Sequence, residues 1–260
     1  MILKVFCTIL LFSSAAMAQG QVFYIPQVAA GSAAGLRIET LVTLVNLGTG
    51  VLNPAQVDIE TFGQDGSPLS LLKRTTLSGV DAVSLLQREI DGRGTASVEA
   101  YSEDGSLQVG WAKLTTADNV AVEVIYSIFG ASGDLMTTTS ILPRAGITEG
   151  TSLIDLNAGS GLNSSVAVLG APSNEDTAVV TAQVYDQFGV SLGQAEISLA
   201  PGEGIAKSWT ELVPGLNGLG ANGFIGTAEI TATAPVFFLP LRQDGVQLTT
   251  RDILSARTTQ

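Results

Sequence analysis

The chain has no histidine and a single cysteine, Cys7, among its 260 residues. Histidine is the commonest general base and the commonest transition-metal ligand, so its absence removes the usual means of both kinds of chemistry. Zinc–thiolate sites and disulfide frameworks need several cysteines, so neither is expected. The sequence therefore predicts no catalytic residues, no cofactor-binding residues and no metal ligands.

Basic residues are also scarce. Twelve lysines and arginines stand against 24 acidic residues, which gives a net charge of −12. An acidic surface repels nucleic acid and anionic lipid headgroups, so we expect no nucleic-acid partner. The acidic residues are scattered along the chain, a pattern that indicates solubility more than an acidic binding patch.

The first residues, MILKVFCTILLFSSAAMAQG, carry the features of a secretory signal peptide. Lys4 precedes an apolar run that ends at Phe12, and Ala16 and Ala18 frame an A-x-A cleavage site. The run is shorter than the roughly 20 residues that cross a bilayer, so a membrane anchor is the weaker alternative. Cleavage of residues 1–18 removes the only cysteine and leaves no membrane span. We expect an exported protein of the periplasm, the cell envelope or the extracellular space.

Short stretches rich in Val, Ile and Thr predict β-strands, because their apolar residues alternate or form brief runs. These stretches are LRIETLVTLVN, AQVDIETF, ASVEAY, VAVEVIYSI, SVAVLG, AVVTAQVY and TAEITAT. Turn sequences separate them, each with a glycine that can adopt the positive φ of a hairpin loop. These glycines are Gly66, Gly105, Gly133, Gly189 and Gly245. Such turns join antiparallel neighbours, so an all-β sandwich is favoured over a parallel α/β sheet.

The two halves of the chain match each other. ETFGQDGSPL, at residues 60–69, has the same layout as QVYDQFGVSL in the second half, and Val42 aligns with Val166. Further on, GWAKLTTADNVAVEVIY aligns with GTAEITATAPVFFLPLR, which places a longer insertion in the first copy, around residues 92–108. Two homologous modules in tandem are the economical interpretation.

We predict two tandem immunoglobulin-like antiparallel β-sandwiches, residues 21–143 and residues 144–260. The boundary lies near LPRAGITEG, where a proline and two glycines interrupt the strand pattern. Each copy also offers one short helical segment that would cover one end of its sandwich. The apolar residues at helical spacing are Val83, Leu86 and Ile90 in VSLLQREI, and Ile205, Trp209 and Leu212 in GIAKSWTELVPG.

These residues also resemble a known class of repeats. SLAPGEGIAKSWTELVPG followed by GFIGTAEITATAPVFFLPLR, with TLVTLVNLG and VDIETFGQDGSPL in the other copy, resembles an uncharacterised class of exported bacterial immunoglobulin-like repeats. The pattern of that class is an LVN strand, an F-x-x-x-G-x-x-L hairpin, an L-x-P-G turn and a G-x-x-x-x-T strand pair. The first copy departs from it, with LSGVD where LAPGE is expected. The resemblance implies a β-sandwich and an exported setting, and it carries over no catalytic residues.

Three short motifs fit sequence patterns of functional sites, but the predicted structure around them does not suit those sites. Residues 218–223, GLGANG, fit G-x-G-x-x-G, but a strand pattern follows where a phosphate-binding helix is needed. Ser70 and Lys73 fit the S-x-x-K of serine acyl enzymes, but strand-like sequence would place them on opposite faces of a sheet. The acid pairs in SEDGS and SNEDT are interpreted as polar turns, with a weak calcium site as the alternative.

Trp111 and Trp209 are the two candidate ligand-stacking residues, since an indole can stack on the face of a sugar. Core packing is the preferred interpretation for both. Trp111 lies in a strand that the second copy matches, and Trp209 lies on the apolar stripe of its short helical segment.

The sequence thus predicts an exported, non-enzymatic structural or adhesion module without a cofactor. Its partner is expected to be another envelope or extracellular protein. A carbohydrate-binding module with a polysaccharide partner is the first alternative. A hydrolase that uses only carboxylates is the second.

Overall fold

The computed structural model describes residues 20–48, 54–116, 119–141, 143, 145–245 and 247–253. The predicted signal peptide and its cleavage site lie outside the described residues, as do Leu142 and Arg144 at the predicted boundary. The described chain is nearly all β-strand in curled antiparallel sheets, and its α-helix, α1 (Trp209–Leu212), has four residues.

Strands β1 to β10 form the N-terminal half, and β11 to β17 form the C-terminal half. The first group is β1 (Gln21–Ala33), β2 (Leu36–Asn46), β3 (Ala55–Gly63), β4 (Leu72–Thr76), β5 (Gly79–Val83), β6 (Leu85–Ile90), β7 (Thr95–Glu99), β8 (Gln108–Thr116), β9 (Val120–Phe129) and β10 (Leu135–Ile141). The second group is β11 (Ile147–Leu156), β12 (Leu162–Gly170), β13 (Ala178–Asp186), β14 (Ser191–Leu199), β15 (Gly204–Ser208), β16 (Phe224–Asp244) and β17 (Gln247–Thr250).

Each half has one large antiparallel sheet. The first has the strand order β10-β9-β2-β1-β8-β3-β6, with β7 paired to β2, and β4 and β5 form a separate hairpin. The second has the order β14-β13-β16-β12-β15, with β11 and β17 paired to β16.

One strand in each half changes its pairing partners along its length. β1 pairs with β8 up to Ala30 and with β2 from Gly31 onward, after a bulge between Ile25 and Val28. β16 pairs with β11 and β13 along its first half and with β12 and β17 along its second half. A Cβ on Gly31 would lie 1.9 Å from the carbonyl oxygen of Ser106, so only glycine fits where β1 changes partners.

The strand register is the same in the two halves at the positions that the sequence alignment matches. The corresponding pairs are Val42–Val124 with Val166–Pro240, and Phe62–Trp111 with Tyr185–Thr227. Because a slip of one residue would move every side chain to the other face of the sheet, this agreement fixes which residues of the two halves are equivalent.

A buried hydroxyl also holds the neighbouring strand in the same way in each half. Thr40 Oγ1 donates to the carbonyl oxygen of Ala29 at 2.6 Å and accepts from its N–H at 3.0 Å. Ser164 Oγ donates to the carbonyl oxygen of Asp155 at 3.0 Å and accepts from its N–H at 2.9 Å. Thr40 and Ser164 occupy equivalent positions, and both are buried.

The strand and turn predictions are confirmed. All seven predicted stretches lie in strands, although ASVEAY runs two residues past the end of β7. The five turn glycines all have positive φ, between 59° and 85°. At Gly133, Gly189 and Gly245 the turn joins two directly paired strands.

The predicted helix in VSLLQREI, with Val83, Leu86 and Ile90 on one face, is wrong. Leu85–Ile90 is β6, which pairs with β3. Leu86 and Ile90 are four residues apart, a spacing that places them on one face of a helix and equally on one face of a strand. Both are buried, and hydrogen bonding to β3 decides between the two conformations.

The second predicted helix is confirmed in part. In GIAKSWTELVPG, Ile205 lies in β15, and the helix is confined to α1, which contains Trp209 and Leu212. Ser208 caps its N-terminus: the Ser208 side chain accepts from Glu211 N–H, and the Glu211 carboxylate accepts from Ser208 N–H.

The insertion in the first half also lies elsewhere than predicted. The extra element is the β4–β5 hairpin, whereas residues 92–108 hold β7 and a turn. Gly94 N–H donates to Asp91 O at 2.8 Å, as Glu203 N–H donates to Ala200 O at 2.9 Å in the C-terminal half. The first-half counterpart of LAPGE is therefore IDGRG, and LSGVD belongs to the hairpin.

Buried apolar side chains form one large cluster in each half, and the clusters meet across the two halves. β12 and the second half of β16 are buried on both faces. Val166, Val168 and Phe238 pack inside the C-terminal half. Ala167, Leu239 and Leu241, on the opposite face, pack in the cluster of the N-terminal half.

Candidate functional site

The G-x-G-x-x-G segment forms a tight connection before a strand. Leu219–Asn222 is one 3-10 turn, Gly218 and Gly223 flank it with φ of 85° and 79°, and β16 begins at Phe224. A phosphate site of this kind needs an α-helix whose first N–H groups point at the ligand. The strand that follows cannot supply them, so the segment is a connecting loop.

Ser70 and Lys73 do not form a catalytic pair. Lys73 Nζ donates to Glu99 Oε2 at 2.6 Å, and this hydrogen bond raises the pKa of Lys73 above its usual value. A lysine held in its charged form cannot accept a proton from a serine hydroxyl. Lys73 is an ion-pair partner that links β4 to β7.

The acid pairs lie in turns. The Asp104 carboxylate accepts from Ser106 Oγ at 2.6 Å and from Ser106 N at 2.9 Å, and these hydrogen bonds lower the pKa of Asp104. Glu103 accepts from Ala82 N–H at 3.0 Å, which ties the turn to β5. The second pair, in SNEDT, lies exposed in a bend. The carboxylates of the first pair therefore accept hydrogen bonds from nearby backbone N–H groups, and Asp104 does so as in other Asx turns.

Both tryptophans are buried. Trp111 is 3% exposed and its ring stacks on Phe62, with 4.2 Å between the ring centroids. Trp209 is 1% exposed and lies 6.4 Å from the ring of Phe238 in the core of the C-terminal half. A buried indole has no free face for a sugar, so in this conformation Trp111 and Trp209 are packing residues.

Among the described residues, no three carboxylate or thiol side chains are grouped as ligands of a metal ion. Within the same ranges, no helix has the length and apolar character needed to cross a bilayer.

Exposed apolar side chains gather around the β13–β14 hairpin. Phe188 and Val190 project from its tip, and Phe188 is 82% exposed. Leu153 of β11 and Ile225 of β16 are also exposed, and the pairing of Leu153 with Thr227, two residues from Ile225, places them on one face of the sheet. We call Leu153, Phe188, Val190 and Ile225 the hairpin patch.

The side chain of Asp186 holds the hairpin turn that carries Phe188 and Val190. Asp186 Oδ1 accepts from Phe188 N at 2.8 Å and from Val190 N at 2.9 Å, so the loop has one defined shape. Phe188 and Ile225 also line a groove of about 440 Å³. From its sequence, this stretch is predicted only as a turn. Its signal was two apolar residues where turns usually carry polar ones.

A cleft of about 340 Å³ lies where the two halves meet, and we call it the junction cleft. Its lining includes Tyr24, Phe62 and Lys113 from the N-terminal half, and Pro172, Ser173 and Pro201 from the C-terminal half. Near it, the ring of Tyr24 packs on Phe237 with 4.5 Å between centroids, and Gly204 N–H donates to Gln64 O at 2.7 Å. The sequence patterns that contain Phe62 and Pro201 did not predict this cleft, because its residues come from distant segments.

No family model matches the chain, and no curated protein matches it. Among solved structures, similar chains include the B domain of a biofilm-associated protein, at 8% identity and a TM-score of 0.21, covering 86% of this chain and 85% of that one. The BSP domain of a biofilm-associated protein is 8% identical, with a TM-score of 0.20 and coverages of 90% and 59%. The serine-rich repeat protein Srr2 from Streptococcus agalactiae is 10% identical, with a TM-score of 0.18 and coverages of 92% and 97%. TM-scores this low do not establish a shared fold.

Proposed function

We propose that the chain is an exported, non-enzymatic structural or adhesion module that contacts another envelope or extracellular protein through the hairpin patch. It consists of two tandem immunoglobulin-like β-sandwiches, residues 21–143 and residues 144–260, and residues 1–18 are removed on export. The observation that carries the contact is the exposure of Phe188 at the hairpin tip beside Ile225, with which it lines one groove.

Two kinds of equivalence support the tandem arrangement. The strand registers agree between the halves, and the buried hydroxyls of Thr40 and Ser164 make the same pair of hydrogen bonds. The backbone register and the side-chain hydrogen bonds are independent features. Duplication of one ancestral module explains both agreements more simply than chance similarity of two unrelated modules does.

The paths of β1 and β16 support a sandwich in each half. A strand that bends from one sheet into another makes the corner between two packed layers. β1 does so at its bulge, and β16 does so between its pairing with β13 and its pairing with β12. The apolar cluster of each half then fills the space between its two layers.

The hairpin patch has the properties of a protein-contact surface. Exposed apolar side chains that gather on one surface mark interaction sites more often than isolated ones do. Aromatic residues are also the commonest anchors of protein interfaces. Phe188 is such a residue, and Asp186 already fixes its loop, so little conformational entropy is lost when a partner covers it.

A photo-crosslinking amino acid at position 188, in the protein exported by its own cells, tests the contact. We expect a covalent adduct of one defined mass. Position 77 is the matched control, because Leu77 also projects into solvent, from the tip of the β4–β5 hairpin. Equal adducts at both positions, or none at position 188, would contradict the proposed contact.

Two measurements test the remaining parts of the proposal. The intact mass of the exported protein should correspond to a chain that starts at Gln19, and retention of residues 1–18 would contradict export by signal-peptide cleavage. A broad hydrolase screen should show no turnover that follows the protein through purification. Turnover that does follow it would contradict the non-enzymatic assignment.

A further inference from the structure

The junction cleft combines fixed aromatic rings with paired charged groups, and neither feature belongs to the hairpin patch. Phe62 and Tyr24 are both partly exposed in it. Phe62 is held from behind by the stacked ring of Trp111, and Tyr24 is held by Phe237. Ring faces that are already immobilised lose little entropy when a ligand covers them.

The lining of the cleft includes two polar side chains, Lys113 and Ser173, and Glu60 is paired with Lys113. In the sheet, Lys113 is the direct neighbour of Tyr24 on one side and of Glu60 on the other, so the three side chains share one face. Lys113 Nζ lies 2.9 Å from Glu60 Oε1, and both side chains are about one third exposed. The pair offers N–H donors and carboxylate acceptors to a ligand.

The charge balance of the cleft indicates what kind of ligand fits. Lys113 and Glu60 neutralise each other, so no net charge is left for an ionic ligand to satisfy. An anionic ligand would also be repelled by the protein, whose net charge is −12. A neutral sugar has a face of C–H groups that stacks on an aromatic ring and a rim of hydroxyls that both donate and accept hydrogen bonds. A volume of about 340 Å³ lies within the usual range of small-molecule sites.

We propose that the junction cleft binds a neutral saccharide. Phe62 and Tyr24 stack on its ring, and Lys113, Glu60 and Ser173 hydrogen-bond its hydroxyls. Trp111 also lines the cleft, but it is only 3% exposed, and its main contact is the stacked ring of Phe62. Because Ser173, Pro172 and Pro201 come from the C-terminal half, the site is complete only when the two halves are packed together.

Calorimetric titration of the full exported chain with neutral gluco-, xylo- and manno-hexaoses tests the proposal. We expect at least one of them to bind, and we expect Phe62→Leu and Lys113→Met each to weaken its Kd at least tenfold. Tyr185→Leu is the matched control, because Tyr185 is the counterpart of Phe62 in the C-terminal half. The Kd of the Tyr185→Leu variant for the same hexaose should differ less than twofold from that of the parent.

The result is overturned if none of the hexaoses binds, or if the cleft variants bind as well as the parent. It is also overturned if a polygalacturonate oligomer or a proline-rich peptide binds the cleft in place of the neutral sugars. Should Phe62→Leu fail to fold, Lys113→Met and Ser173→Ala carry the test, since both replace side chains that reach the surface. Phe188→Ser, in the hairpin patch, should leave sugar binding unchanged, so failure here is distinguishable from failure of the proposed protein contact.

Discussion

Two buried polar side chains stabilise the point where β1 changes its pairing partner from β8 to β2. Thr40 satisfies both backbone groups of Ala29, and the hydroxyl of Tyr126 donates to the carbonyl oxygen of Gln27 in the bulge. Burial raises the pKa of Tyr126, so its phenol stays a neutral donor. A bulge leaves backbone groups outside the ladder, and these side chains supply their partners.

Thr40→Val should destabilise the protein by about 2 to 4 kcal/mol, because it preserves the shape of the side chain but leaves two buried backbone groups of Ala29 unpaired. Urea unfolding measures the loss. Thr43→Val is the control, since Thr43 lies on the same strand and its side chain is only partly buried. A loss at Thr40 no larger than at Thr43 would contradict this account.

Asp104 provides a prediction about pH. Hydrogen bonds from Ser106 lower its pKa, so Ser106→Ala should raise the pKa of Asp104 toward the ordinary value without reaching it, since the N–H of residue 106 still donates. In the parent, a lowered folded-state pKa favours the folded state above the ordinary pKa, and that contribution is lost as the pH falls through the lowered one. Carbon-detected NMR titration measures the shift.

Ser67→Ala is the matched control for this titration. Ser67 makes the same contacts with Asp65 that Ser106 makes with Asp104, and it lowers the pKa of Asp65. The two substitutions should therefore shift different carboxyl groups. A Ser106→Ala variant whose Asp104 titrates as in the parent would show that the hydroxyl has no part in the lowered pKa.

Among the strands, β12 and the second half of β16 differ from their counterparts β2 and β9 in what covers their outer faces. Leu239 is paired with Ala167 and is fully buried against the N-terminal half. At the equivalent positions, Glu123 is paired with Thr43, and Glu123 is exposed. The same backbone register therefore carries an apolar face in one half and a polar face in the other.

Leu239→Ala should cost about 3 kcal/mol of stability, because it removes a side chain buried between the two halves. Glu123→Ala, at the equivalent exposed position, should change stability by less than about 0.5 kcal/mol. Chemical denaturation of both variants checks the contrast. If the two substitutions cost the same, the outer face of β16 is not packed as described.

β6 and α1 show which elements a short sequence pattern can predict. Alternation over eight to eleven residues identified β2, β3 and β9, because only a strand places that many apolar residues on one face. VSLLQREI is too short for that distinction, and its pairing partner β3 lies far back in the sequence. In GIAKSWTELVPG, the helix is limited to four residues because β15 takes the residues before it into the sheet.

In the whole molecule, the two halves meet through an apolar contact. The residues at the matching positions of the other half are polar. Trp111 lies in the contact, whereas its counterpart in the C-terminal half is Thr227, and Leu239 lies in it, whereas its counterpart in the N-terminal half is Glu123. Repeat proteins commonly carry polar residues on their outermost faces and apolar ones between repeats.

Residues 144–260 expressed alone should associate or aggregate, because Leu169, Phe237, Leu239 and Leu241 lose their cover. Substitution by the N-terminal counterparts, Ala167→Thr with Leu239→Glu, should make the fragment monomeric and allow a cooperative thermal transition. Light scattering and circular dichroism measure both properties.

The parent fragment is the control for this experiment. A parent fragment that is already monomeric and melts at the temperature of the full chain would contradict the expected dependence on the contact. It would instead support the simpler expectation that each module closes its core alone.

The candidate sites differ in how far the sequence could predict them. The hairpin patch could be found in part, since QFGV places two apolar residues in a turn, but Leu153 and Ile225 join it only through strand pairing. The junction cleft could not be found. Tyr24, Phe62 and Pro201 are far apart in the sequence, and the turn and hairpin patterns that contain Phe62 and Pro201 do not show that the two residues meet.

The all-β class, seven strand stretches and five glycine turns could be predicted from the sequence, because alternation and turn glycines are local properties of the chain. Three features needed the three-dimensional structure: VSLLQREI is a strand, both tryptophans are buried, and SVAVLG is covered on both faces. Each of these depends on which distant segment lies opposite. A continuous apolar run indicates that both faces of a strand are buried. Which segment covers each face is decided by packing between the halves.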